Sequence, residues 1–129
     1  MIGAHGRVPV FAYRRPADLR KGFEGLSALV REALVQDPLS GALYLFTNQR
    51  RTTAKVLHFD GTGLGLYIKK LARGRFAALW DDSTPASLSL TRTELDLFLQ
   101  GSHLVGKMAL APAPMSEKDL VIRARGDHG

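Results

Sequence analysis

Three strand-length apolar runs, "ALYLFT" (residues 42–47), "AKVLHF" (54–59) and "LGLYIKKL" (64–71), follow one another with only "NQRRTT" and "DGTG" between them. Connections that short can reverse a chain into an antiparallel hairpin, whereas a parallel pair needs a crossover of a dozen or more residues. The first run is continuously apolar and is expected to form a central strand covered on both faces. The third alternates, placing Leu64, Leu66 and Ile68 on one face and Tyr67 and Lys69 on the other. Glycines in "DGTGLG" sit between strands with no Lys-Ser/Thr helix after them, so they supply turn backbone and not a phosphate loop.

The flanks add the remaining elements. "VPVFAYRR" (8–15) is expected to be a strand with Pro9 at its start. In "DLRKGFEGLSALVREALVQD" (18–37) the residues Leu19, Phe23, Leu26, Val30, Ala33 and Leu34 recur at helical spacing, predicting one long amphipathic helix capped by Asp18. Two internal glycines each cost about 1 kcal/mol against alanine. Gly22 borders the apolar stripe, where a strand passing close would explain it; Gly25 has no explanation in the sequence. After "DPLSG", "AALW" (77–80) is expected to be a further strand. "SLSL" leads into a short helix, "TRTELDLFLQG", in which Thr91 and Glu94 have capping-box spacing and Gly101 marks the stop. The expected fold is α+β: a curved antiparallel sheet of about five strands with one long N-terminal helix and a short C-terminal helix. Residues 1–101 are expected to form one domain. Residues 102–129, containing "KMALAPAPMSEKD" and "LVIRARGDHG", are expected to be a linker and mobile tail.

A chain of 129 residues supports one core. It has no cysteine, which excludes disulfides and thiol chemistry and fits a cytoplasmic location. No apolar run reaches the roughly 20 residues of a membrane span, and "MIGAHGRVPVF" does not resemble a signal peptide. His5, His58, His103 and His128 lack metal-ligand spacing, and His58 is expected to be a hydrogen-bonded sheet residue. Asp60, Asp81, Asp82 and Glu94 are the acids a two-metal nuclease would need, but turn, loop and capping roles account for them. No catalytic residue, metal or cofactor is expected.

Charge is the informative quantity. The chain carries +6, and residues 50–76 hold Arg50, Arg51, Lys55, Lys69, Lys70, Arg73 and Arg75 against Asp60 alone, an excess equal to that of the whole protein. Such a cluster at hairpin ends suits phosphate, because each cation that neutralises a phosphate releases condensed counterions. Arginine adds forked hydrogen bonds. The expected nucleic-acid-binding set is Arg50, Arg51, Lys69, Lys70, Arg73 and Arg75. Tyr67 would stack on an exposed base, and Arg20 and Lys21 would extend the set at the start of the first helix. The competing reading is a solvated edge whose lysines discourage aggregation, or a surface that docks an acidic protein.

The stretches "DLRKGFEGLSALV", "DPLSGALYLFTNQRRTTAKVLHFDGTGLGLYIKKLARGRF" and "SLSLTRTELDLFLQG" resemble, in order and spacing, the accessory protein TnpB of insertion sequence family 66, encoded by the element's second open reading frame. The likeness spans residues 7–101. Its motif positions here are Asp18, Arg20, Lys21, Gly22 and Phe23, then Asp60, Gly61, Gly63, Lys69, Leu71, Arg73, Gly74, Arg75 and Phe76. The resemblance implies a non-catalytic protein that assists transposition beside a separate DDE transposase and a sister accessory protein, with DNA as the expected ligand. Phe59 stands where the family usually has tryptophan, Ala72 where it commonly has glutamate, and "AALW" departs from the family's usual tryptophan and proline. Loss of the glutamate leaves the basic rim more positive.

Overall fold

The two short connections do close hairpins. The computed structural model describes residues 8–80 and 85–102, so the expected tail beyond Ser102, and with it Asp81 and Asp82, lies outside the described residues. The elements are β1 (Val10–Tyr13), α1 (Phe23–Glu32), β2 (Leu43–Thr47), β3 (Thr53–Phe59), β4 (Leu64–Lys70), β5 (Ser87–Leu90) and α2 (Arg92–Leu99). They form one five-stranded sheet in the order β4-β3-β2-β1-β5.

The sheet is mixed and not antiparallel throughout. β1 runs parallel to β2, with Val10 opposite Leu43 and Ala12 opposite Leu45, while the other three pairings are antiparallel. The cause is the helix between them: α1 and its flanks supply the crossover a parallel pair requires.

Residues directly opposite each other share a face, so the register sorts the core into two halves. Tyr44, Phe46 and Leu57 pack with Leu26 and Val30 of α1. On the other face Leu43, Leu45, Ala54 and Val56 pack with Leu95 and Phe98 of α2. β2 is buried at all five positions, as its unbroken apolar run predicted.

The first helix is shorter than its apolar stripe, at 10 residues. Asp18 does not cap it: its carboxylate takes the Arg20 N–H at 3.0 Å and both arms of the Arg20 guanidinium at 2.9 Å, closing a turn before the helix. Gly22 is the N-cap, and a β-carbon there would meet open space, so no strand approaches it. At the far end Val35, with φ 54°, reverses the chain in the left-handed region, and the Gln36 N–H returns to Val30 O at 3.0 Å. Leu34 still reaches the core from this irregular turn.

Gly25, unexplained in the sequence, has a physical reason. A β-carbon there would lie 2.7 Å from Lys21 Cβ, so glycine lets the entering chain fold over the first turn. Helix propensity alone predicts that Gly25→Ala stabilises by about 1 kcal/mol. Overpacking of this kind costs about 1–3 kcal/mol, so the substitution is expected to lower the thermal midpoint, read by circular dichroism.

"AALW" forms no strand. Residues 71–80 cross the α2 face without a ladder, burying Phe76, Ala77 and Leu79 against the sheet. The fifth strand is instead β5, which pairs with β1 through Val10 and Leu90. α2 follows its expected signals. Thr91 Oγ1 accepts from the Glu94 N–H at 3.0 Å, and Glu94 Oε1 accepts from the Thr91 N–H at 2.8 Å. At its end Gly101, φ 87°, lets the Ser102 N–H reach Leu97 O at 3.0 Å.

Candidate nucleic-acid interface

Strand direction decides where the basic residues meet. Thr53 lies opposite Lys70, so the loop at 48–52 and the segment after Lys70 leave the sheet at the same end. The parallel pairing brings the end of β1 there too, and the Ala17 N–H donates to Thr47 O at 2.9 Å. Arg50, Arg51, Lys69, Lys70, Arg73 and Arg75 therefore share one end of the sheet. Lys55 is nearby, and its Nζ donates to Leu19 O at 2.6 Å, which brings the segment carrying Arg20 and Lys21 toward the same end.

Local hydrogen bonds hold this end. Asn48 Oδ1 accepts from the Thr52 and Thr53 N–H groups at 2.9 and 3.1 Å, and Asn48 O accepts from the Arg51 N–H at 2.9 Å. Arg51 sits in the left-handed region, φ 60°. Its carbonyl accepts from the Phe76 N–H at 2.7 Å while its Nη1 donates to Phe76 O at 3.2 Å. The Phe76 ring in turn stacks on Phe98, centroids 5.0 Å apart. The basic segment is thus tied at Leu71, whose N–H reaches Thr52 O at 2.9 Å, and again at Phe76. Gly74, with φ 71° and open space around it, makes the turn between Arg73 and Arg75.

The cations divide by what they touch. Arg51 and Lys55 are committed to backbone carbonyls, and Arg20 is paired with Asp18. That guanidinium holds the Asp18 carboxyl well below the usual carboxylate range. Arg50, Lys70, Arg73 and Arg75 are exposed and Lys69 is half-buried; none has a carboxylate partner among the described residues. Lys21 is exposed over Gly25. The lysines of β4 part company: Lys69, opposite Ala54, shares the α2 face with Tyr67, while Lys70 is on the α1 face. Arg14 and Arg15 were not in the sequence-derived set, yet β1 brings them to this end. Arg14 is buried with Nε donating to Leu79 O at 3.0 Å, and Arg15 donates to Arg14 O at 3.0 Å. The parallel pairing was the missing signal.

Asp60, the acid within the basic stretch, is at the opposite end of the β3–β4 hairpin. Its Oδ1 accepts from the Thr62 N–H and hydroxyl, both at 2.9 Å, and from the Gly63 N–H at 3.0 Å. These bonds, the Thr62 backbone bond first, hold its pKa below the ordinary 3.8. A carboxyl with a lowered folded-state pKa adds stability above its unfolded value and loses it as pH falls through the folded one. Asp60→Asn is therefore expected to weaken the decline of the thermal midpoint on the acid limb, checked by melting curves against pH.

Other sequence-derived candidates stay apart. Glu94 is used by its capping box, and no three His, Asp or Glu residues gather into a metal-binding group among the described residues. His58 is not hydrogen-bonded as expected: its Nε2 is buried without a partner, in a groove bordered by Val56, Tyr67 and Leu95. No helix among the described residues is long and apolar enough to cross a membrane.

The family model described as "IS66 Orf2 like protein" matches residues 8–108, a range that contains both hairpins and both helices. The chain belongs to the IS66 Orf2-like family. Two proteins of Sinorhizobium fredii are similar to it: "Uncharacterized protein y4hO", 32% identical over 101 residues, and "Uncharacterized protein y4jC", 31% identical over 101 residues. The alignments cover 78% of this chain and 86% and 85% of those proteins. No solved structure matches. IS66 Orf2-like proteins are accessory to the transposition of their insertion sequence.

Proposed function

We propose that this IS66 Orf2-like protein is a non-catalytic DNA-contacting subunit of a cytoplasmic transposition complex, and that the basic end of its sheet receives DNA phosphates. One observation carries the reading: Arg50, Lys69, Lys70, Arg73 and Arg75 meet at one end of the sheet with no carboxylate partner among the described residues. Unpaired cations on tied loops can neutralise phosphate without first breaking an ion pair. Arg51 contributes by fixing the loop, and Arg20 and Lys21 extend the surface along the start of α1. Tyr67, three residues before Lys70 or roughly 10 Å along the strand, stands outside the phosphate set.

Binding of the full chain to a short duplex is expected to weaken steeply with salt. Five phosphate contacts correspond to a log–log slope of about −4.5, at about −0.9 per contact. Fluorescence anisotropy across a salt series measures it, and no binding at the lowest salt would remove the reading.

A second reading is docking onto the DDE transposase or a sister accessory protein without DNA. The exposed Tyr67 and Ile68 on β4 favour it. A pull-down from purified components free of nucleic acid separates the two.

A further inference from the structure

β4 hydrogen-bonds to β3 on one side and to no strand among the described residues on the other. Two bonds close the β3–β4 hairpin: Leu71 N–H to Thr52 O at 2.9 Å and Asp60 N–H to Gly63 O at 3.1 Å. They turn the odd-numbered residues of β4 toward β3. Backbone groups alternate along an antiparallel strand, so Leu64, Leu66, Ile68 and Lys70 direct theirs outward. Tyr67 and Ile68 are 53% and 56% exposed on this strand. Seven residues of unpaired edge without proline or bulge form a template that proteins ordinarily cover.

We infer that a second copy of this chain covers it, β4 pairing antiparallel with its own counterpart about a two-fold axis through Tyr67. The backbone selects that register, because it alone pairs the four outward residues among themselves: Leu64 with Lys70 and Leu66 with Ile68, in both directions. The side chains agree. Leu66 and Ile68 lie on the same face, opposite Leu57 and Lys55 of β3, so pairing joins four apolar residues into one covered block. Charge agrees as well. A parallel pairing would set Lys69 and Lys70 beside their own copies, where like charges destabilise. The antiparallel one sets Lys70 opposite Leu64 and Lys69 opposite Gly65 of the second copy, so no lysine faces a lysine. An isologous contact of this kind closes at two subunits and leaves no further β4 edge. The dimer follows from this edge and is independent of nucleic-acid contact.

The test uses the full chain, which has no cysteine of its own. Sedimentation equilibrium is expected to give twice the 14.1 kDa chain mass. Ile68→Lys is expected to raise the dimer dissociation constant at least about thirtyfold, with an unchanged circular dichroism spectrum because Ile68 is exposed. Tyr67→Cys should oxidise to a covalent dimer. Opposed residues in a non-hydrogen-bonded pair have Cα atoms about 4.5 Å apart, within disulfide reach. Lys69→Cys, which would face Gly65 of the second copy, should stay monomeric in denaturing gels. The inference is overturned by a wild-type monomer at every concentration, which includes the case in which residues 103–129 occupy the edge. It is equally overturned by a dimer that Ile68→Lys leaves intact, or by cross-linking at Lys69→Cys that matches Tyr67→Cys.

Discussion

Reversing Arg73 and Arg75 together, as Arg73→Glu with Arg75→Glu, is expected to reduce the salt slope of DNA binding by about two units, one for each lost phosphate contact. Affinity at low salt falls further than the lost contacts alone require, because two glutamates then repel the phosphates the arginines attracted. The fold should not suffer. Both arginines are exposed, neither has a carboxylate partner among the described residues, and Gly74 keeps the turn between them. Surface substitutions of that kind change stability by about 0.5 kcal/mol or less. Arg92→Glu is the matched control. Arg92 is exposed on α2, paired with Asp96 at 3.3 Å, and lies at the end of the sheet that carries His58 and not the basic loops. Its reversal should leave the slope within error. Anisotropy titrations of the two variants at three or four salt concentrations decide the matter.

The largest effect on stability is expected at the ring pair beneath the basic loop. Phe98 of α2 and Phe76 are both fully buried and stack 5.0 Å apart with planes 10° from parallel. Phe98→Ala removes a large buried side chain and leaves a cavity, at a cost of about 3–5 kcal/mol. A domain of this size has only about 5–15 kcal/mol in total. The urea midpoint should fall by about a fifth or more at constant slope with denaturant. The substitution also reaches the basic end: Phe76 is the residue to which Arg51 is clamped, so losing its packing partner frees the segment that carries Arg73 and Arg75. DNA affinity should fall even at temperatures where the variant remains folded, which no effect on global stability alone would produce.

Much of this fold was legible because short connections leave a chain few choices. "DGTG" and "NQRRTT" admit only hairpins, and both formed. The capping box at Thr91 and the glycine stop at Gly101 were legible for the same reason, since each is a local chemical requirement met within a few residues. The errors came where one residue has two competing uses. Asp18 could cap a helix or bind Arg20 two residues on; the forked guanidinium contact won, and α1 begins at Phe23. The apolar stripe did not reveal its own ends, because Leu34 buries its side chain from an irregular turn as effectively as from a helix. "AALW" has the composition of a strand, yet its segment leaves β4 to cross the opposite face, where Phe76 and Leu79 gain burial without a ladder.

The basic end shows a different limit. Counting letters located the charge in the chain, and the hairpin register explains why those letters converge. A charge count is blind to backbone acceptors, so it could not separate Arg51 and Lys55, which bind carbonyls, from Arg50, Arg73 and Arg75, which are open to a ligand. Nor could it include Arg14 and Arg15, whose place depends on the parallel pairing of β1 with β2.

Amide chemical-shift mapping of the isotopically labelled full chain with a short DNA duplex at low salt tests the central claim most directly. Perturbations are expected to concentrate at residues 48–52 and 69–75. Shifts centred on α2, or spread evenly over the sheet, would contradict it.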